Sequence, residues 1–265
     1  MTDPRPIGIF DSGIGGLTVL AALQRHLPGE RYIYLGDTAR LPYGTKSAET
    51  VVRYALRAAE FLAGHGIKML VVACNTASAA ALPALEEAMT VPVVGVVAPG
   101  ARVAVEGTSG RVGIIGTEST IASGAYLRAV HALRPEVEVV ARACPLFVPL
   151  AEEGWWDHPV THEVARLYLE PFTGDRVDTL ILGCTHYPLL RGAIAGAVGD
   201  RVRLVDSAEA VAAEVADVLA RGALAAPAAG SLRLLVTDAA ARITRIARLI
   251  LPEVAVNLEL VDLPD

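Results

Sequence analysis

The sequence predicts an α/β protein made of open parallel sheets, and three observations carry that prediction. Short β-rich runs alternate with longer helical patterns from one end of the chain to the other, which is the βαβα order of parallel architectures. Several of the runs are nearly continuous Val, Ile and Leu, as in strands covered on both faces rather than one. Polar, glycine and cysteine residues gather directly after the runs, at the carboxyl ends where open α/β sheets present their ligand groups.

Taken in order, the first strand is expected over 6–10, followed by the glycine-rich turn DSGIGG and a helix over 17–27. A strand over 31–35 leads into GDTARLPYG, whose Pro and Gly suit a rigid binding loop or an ordinary turn. A helix over 47–62 with Lys46 at its start comes next, then a strand over 68–73 with Lys68 read as a strand-edge residue, a helix over 77–89 and a strand over 92–97. The segment 97–110 holds Pro99, Gly100, Gly107 and Gly110 and reads as a connection at a domain boundary. Beyond it are expected a strand over 111–115, a helix over 120–133, a strand over 137–141, a helix over 162–169 and a strand over 178–182. Pro188 suits the first turn of a helix over 189–197, and a strand over 201–205 and a helix over 208–220 follow. The low-information tract 222–230, GALAAPAAG, reads as a surface loop, with a strand over 232–236, a helix over 239–249 and a strand over 254–258 closing the chain.

The 265 residues are 53% hydrophobic and 20% charged, the balance of a compact globular protein able to bury a sizeable core. Basic residues number 23 against 29 acidic, a formal net charge of -6. No basic field of the kind that phosphate backbones or anionic membranes attract is present, so neither nucleic acid nor membrane is an expected partner. An anionic small molecule remains compatible, because backbone N–H groups make a pocket attractive whatever the global charge; the helix beginning near Leu17 is expected to aim its first N–H groups that way. No apolar run reaches the roughly 20 residues a membrane span needs, and the first residues carry no secretion-signal pattern. Three cysteines, Cys74, Cys144 and Cys184, are too few and too scattered for a disulfide scaffold and are expected as reduced thiols in a cytoplasmic protein.

The chemistry concentrates at strand ends. Asp11, Ser12, Gly13, Gly15 and Gly16 follow the first strand; the run has neither dinucleotide-fingerprint nor P-loop spacing, and Asp11 reads either as a turn residue or as a carboxylate acting on an ammonium group or a base. Cys74 leads into Asn75, Thr76 and Ser78 where a helix should begin, a setting that lowers a thiol pKa. Cys184 repeats the context with Thr185, His186, Tyr187 and Pro188, and His186 titrates near neutrality. LVVACNTAS at 70–78 and LILGCTHYP at 180–188 form a weak internal repeat, a buried strand followed by Cys. Cys144 lacks that context and reads as a small core residue.

A structural zinc site wants four ligands, and one C-x-H is not enough; a hydrolytic Cys/His pair leaves one strand-end cysteine unemployed; no C-x-x-C redox pair is present. Two thiols on opposite faces of a planar carbanion would employ both, one removing an α-proton and the other returning it. No lysine stands in a pyridoxal motif. No metal and no cofactor is expected.

DSGIGG at 11–16, GDTARLPYG at 36–44, ACNTAS at 73–78, IGTESTI at 115–121 and LGCTHYPLL at 182–190, in this order, closely resemble the glutamate racemases of the aspartate/glutamate racemase superfamily. The resemblance runs from the first strand to about Asp206. It implies two pseudo-symmetric α/β domains enclosing glutamate between them, the first of residues 1–97 completed by 207–265 and the second of 98–206. It implies catalysis by Cys74 and Cys184, with Asp11 beside the former and Glu152 with His186 beside the latter; Glu153, one position on, competes with Glu152 for that role. It implies substrate contacts from Ser12, Pro42, Tyr43, Gly44, Asn75, Thr76, Thr117 or Thr120, and Thr185, pairing as a homodimer, and supply of D-glutamate to cell-wall synthesis. The rival expectations are a racemase for aspartate or another amino acid, which differs in pocket length, and a binding domain without catalysis, which has no use for two strand-end cysteines.

Overall fold

The structure, a computed structural model, describes residues 3–174, 176–222, 224, 230–238, 241–254 and 256–263. Its strands are β1 (Ile7–Asp11), β2 (Arg31–Gly36), β3 (Met69–Val72), β4 (Val93–Gly95), β5 (Arg111–Gly116), β6 (Glu138–Ala143), β7 (Thr179–Gly183), β8 (Arg203–Asp206), β9 (Ser231–Val236) and β10 (Leu258–Leu260). They form a six-stranded sheet in the order β10-β9-β2-β1-β3-β4 and a four-stranded sheet in the order β6-β5-β7-β8. Every strand pair in both sheets is parallel.

Burial on both faces explains the continuous apolar runs. Along β3, Met69 and Val71 enter one core with Ile7, Ile9 and the helix Leu17–His26, whereas Leu70 and Val72 enter the opposite core with Phe10, Leu35 and the helix Ala48–Gly64. The four-stranded sheet is covered in the same way by two further cores. The chain leaves the first sheet after β4, builds the second, and returns through the helix Ser207–Gly222, whose Val211, Ala212, Val215 and Leu219 join the core around β1 and the helix Leu17–His26.

Several expectations need correction. Segment 97–110 is not a bare connection: Val97–Gly107 is helical. Pro99 falls in the first turn, where its missing N–H is not needed, and burial of Val97, Ala101 and Ala104 on one face offsets the cost of Gly100. The helix expected over 120–133 is two, Glu118–Ala122 and Ala125–Leu133, broken at Gly124, whose φ of 64° is left-handed. A short helix, Phe147–Glu152, has no counterpart in the sequence reading. Helices also begin earlier than expected, at Asn75 and Pro159, and Tyr187–Leu190 is a tight 3-10 turn before the helix Arg191–Val198. The final strand, Leu258–Leu260, overlaps the expected 254–258 only at Leu258 and pairs with β9. Within tract 222–230, residues 223 and 225–229 lie outside the described residues, as do 239 and 240 ahead of the helix Ala241–Ile250. Lys68 directly precedes β3, at the edge of the strand as expected, but its side chain is buried, and Nζ lies 2.6 Å from Glu30 Oε2. Among the described residues no helix is long and apolar enough to cross a membrane.

Candidate active site between the two sheets

The carboxyl ends of β1 and β3 face those of β5 and β7 across a narrow cavity. Ser12, Gly13, Leu41, Pro42, Tyr43, Gly44, Cys74, Asn75 and Thr76 line it from one side, and Thr117, Val148, Glu152, Cys184, Thr185 and His186 from the other.

On the first side β1 ends in Asp11, which is fully buried. Its Oδ2 accepts the Gly13 N–H at 3.0 Å, while Oδ1 has no hydrogen-bond partner among the described residues. Cys74 follows β3 and caps the helix Asn75–Ala88: the Ala77 N–H donates to Sγ at 3.4 Å, and the thiol donates to Ser12 Oγ at 3.5 Å. The cap does not lower the thiol pKa as its position suggested. Burial and the nearby Asp11 charge outweigh the Ser12 and Ala77 hydrogen bonds and push Cys74 up to about 12. Cys184 adds to that rise, so the two thiols sense each other electrostatically. Nor is the helix beginning at Leu17 open to an anion, because the N–H groups of Leu17, Thr18 and Val19 are spent on the carbonyls of Ile14, Gly15 and Gly16.

On the second side Cys184 follows β7, and its Sγ lies 3.7 Å from His186 Nδ1. Glu152 Oε1 sits 3.4 Å from His186 Nε2, within ion-pair range but outside hydrogen-bond alignment. Burial alone pulls His186 down, yet its contacts with Cys184 and Glu152 and their charges push it up to about 10. Glu152 is buried and lines the cavity, whereas Glu153 is exposed. The short helix Phe147–Glu152 presents the first of these carboxylates and turns the second outward.

Thr117 and Thr120 both reach the first side. Thr76 Oγ1 lies 3.0 Å from Thr117 Oγ1 and 3.2 Å from Thr120 Oγ1, and those two are 2.9 Å apart. Only Thr117 of that pair lines the cavity. The loop after β2 supplies Pro42, Tyr43 and Gly44; the Tyr43 hydroxyl donates to Asp37 Oδ2 at 2.6 Å, and Gly44 touches Thr117 so closely that a Cβ there would clash. Gly15 has the same relation to Thr185 and His186, so the two halves meet at glycines.

Every site residue singled out in the sequence therefore borders the cavity except Asp11 and Thr120, each directly behind a residue that does. The sequence reading assigned no role to Leu41, although it lies within GDTARLPYG, and found no signal for Val148 or for Tyr126, which donates to Asn75 Oδ1 at 2.6 Å. No group of His, Cys, Asp and Glu among the described residues is arranged to hold a metal ion.

The Asp/Glu/Hydantoin racemase family profile matches residues 17–215. The chain belongs to that family. A glutamate racemase from Geobacter metallireducens is 58% identical over 245 residues, 91% of each chain. Among solved structures, glutamate racemase isoform RacE1 from Bacillus anthracis superposes with a TM-score of 0.94 at 40% identity over 98% of both chains. The glutamate racemase from Francisella tularensis in complex with D-glutamate gives 0.93 at 38% identity, again over 98% of both. The pairing of two parallel sheets is thus the fold of these glutamate racemase structures, matched over 98% of this chain.

Proposed function

We propose that this racemase-family chain interconverts L- and D-glutamate without a cofactor, using Cys74 and Cys184 as paired acid and base. The observation that carries the reading is the arrangement of two thiols at corresponding strand ends of two sheets, both lining one cavity and each with its own carboxylate behind it, Asp11 for Cys74 and Glu152 through His186 for Cys184. The identity to glutamate racemases supports glutamate as the substrate. Synthesis of peptidoglycan would consume the D-isomer.

From L-glutamate, the Cys184 thiolate takes the α-proton from one face, and the Cys74 thiol gives its proton to the other. The electron pair of the broken C–H bond is held briefly on the α-carbon and its carboxylate. Cys184 ends as thiol and Cys74 as thiolate, and the D-isomer runs the steps in reverse. Asp11, directly behind the cavity wall and with Oδ1 unpartnered among the described residues, supplies the negative charge that draws a substrate ammonium to that side, and the ammonium would weaken the field that keeps Cys74 protonated. Donors from Ser12, Asn75, Thr76, Thr117 and Thr185 would hold the carboxylates; preorganised donors of this kind are each worth on the order of 100-fold in rate.

The test is circular dichroism of D/L interconversion across a panel of amino acids, paired with an analogue that eliminates a leaving group once its α-proton is lost. Glutamate should racemise and aspartate should not. Cys74→Ser and Cys184→Ser should each lose racemisation in both directions, while each retains elimination from a single enantiomer, L for the variant keeping Cys184 and D for the one keeping Cys74. Activity on aspartate alone would overturn the substrate, and a variant that eliminates from both enantiomers equally would overturn the opposed thiols.

A further inference from the structure

Tyr126 stands on the helix Ala125–Leu133, outside every motif, and is buried at 2% exposure. Its ring is seated by two glycines. A Cβ on Gly183, the residue before Cys184, would come 3.1 Å from Tyr126 Cε2, and one on Gly100 would come 3.5 Å from Cε1. The hydroxyl donates to Asn75 Oδ1 at 2.6 Å and lies 3.1 Å from Ser207 Oγ. A phenol has one proton to give, so spending it on Asn75 leaves Ser207 as the donor to the phenol oxygen.

A buried tyrosine with a satisfied hydroxyl is commonly only a core residue. Here, however, the hydroxyl is directed to one edge of an amide that lines the cavity, next to Cys74. With Oδ1 tied to Tyr126, the opposite edge of the amide, Nδ2, is left to the cavity, and no hydrogen bond joins it to the described residues. The reversed amide would donate to the phenol, with Tyr126 then donating to Ser207, but it would set a carbonyl oxygen against an anionic substrate. Three separated segments therefore meet at one hydroxyl: Asn75 after β3, Tyr126 in the middle of the chain, and Ser207 where the chain returns from β8.

We propose that Tyr126 is a positioning residue, whose hydroxyl, supported by Ser207, pins the Asn75 amide so that its N–H groups donate to a substrate carboxylate. The proposal rests on the racemase reading for the identity of that carboxylate. It ties substrate recognition on the Cys74 side to correct seating of the Cys184 side, because the ring that carries the hydroxyl leans on Gly183.

The test is Tyr126→Phe, which keeps the ring between Gly183 and Gly100 and removes only the hydroxyl. Loss of an aligned charge-assisted hydrogen bond should raise KM for both glutamate enantiomers about tenfold and change kcat by less than about threefold. In an Asn75→Ala background the same substitution should add less than about twofold, since the group it positions is already gone. A tyrosine that acts only through core packing would give the same factor in both backgrounds, and that result, or an unchanged KM in the single variant, would overturn the proposal. A second readout needs no activity. The side-chain amide resonances of Asn75, assigned by their loss in Asn75→Ala, should shift in Tyr126→Phe; unmoved resonances would overturn the positioning role. If the unaltered protein failed to racemise glutamate, the reading of function would fall while the resonances still decided the role of Tyr126. Should Tyr126→Phe not fold, Ser207→Ala, which removes only the outer link, completes the same cycle with a smaller rise in KM.

Discussion

Two cysteines of the same kind sit in opposite electrostatic settings. Cys74 is buried against a carboxylate and pushed up to about 12, so it rests as a thiol and is poised to give a proton. Cys184 instead has the His186 ring, not a carboxylate, 3.7 Å from its sulfur. His186 is itself held protonated largely by its partners, because burial alone would favour the neutral ring. The folded pKa of about 10 exceeds the ordinary 6.5, so the stability this proton contributes is complete below pH 6.5 and is lost as pH rises toward 10. Glu152→Gln removes one of the negative charges responsible. Histidine ring resonances followed across pH should show His186 titrating lower in that variant, and its urea midpoint should fall less between pH 6.5 and 10 than that of the unaltered protein. An unchanged His186 titration would mean that Cys184 alone sets it.

At the scale of elements, the parts of the site carried by strand ends were legible and the parts carried by long-range contacts were not. Buried strands announce themselves as Val, Ile and Leu runs, so the placement of Cys74 after β3 and Cys184 after β7 follows from pattern alone. The helix Val97–Gly107 was hidden because Pro99 and Gly100 are signals of a break, yet both fall where a first turn with a buried face tolerates them. Tyr126 was invisible because its partners, Asn75 and Ser207, are 51 and 81 residues away. Asp37 was read within a loop motif without a role. The structure makes it a hub: Oδ2 accepts from Tyr43, and Oδ1 accepts from Thr237 at 2.9 Å and from Arg40 at 3.1 Å. Thr237 directly follows β9, so the returning C-terminal segment braces the loop that carries Pro42, Tyr43 and Gly44. Asp37→Ala should therefore raise KM for glutamate about tenfold, the scale of a lost hydrogen bond to a charged group, and Tyr43→Phe should reproduce part of the rise. A KM equal to that of the unaltered protein in Asp37→Ala would show that the loop holds its shape without the brace.

Across the whole molecule, the end of the six-stranded sheet that faces away from the cavity is tied by a buried cation, Lys68. Lys68 Nζ pairs with Glu30 Oε2 at 2.6 Å and donates to the carbonyls of Asp3 at 3.0 Å and Leu224 at 2.6 Å. It thereby joins the first segment, the approach to β2, the approach to β3 and the segment after the helix Ser207–Gly222. A buried ion pair adds little stability relative to an apolar pair of the same volume, because desolvating both charges offsets most of their attraction. Breaking one is different, since the remaining charge loses its counter-ion in a low-dielectric interior. Lys68→Met should cost about 3–5 kcal/mol of unfolding free energy, whereas Lys68→Met combined with Glu30→Leu should recover much of it. The four residues of β3 place this cluster ~13 Å of strand away from Cys74, so the folded fraction of either variant should keep the KM and kcat of the unaltered protein. Urea unfolding followed by circular dichroism, with racemisation assayed at a temperature where the single variant is still folded, separates the two quantities. A single variant as stable as the unaltered protein would show that the remaining contacts of Glu30 or water compensate for the lost cation, and altered kinetics in a fully folded variant would show that the brace at the far end of the sheet governs how the two halves meet around the substrate.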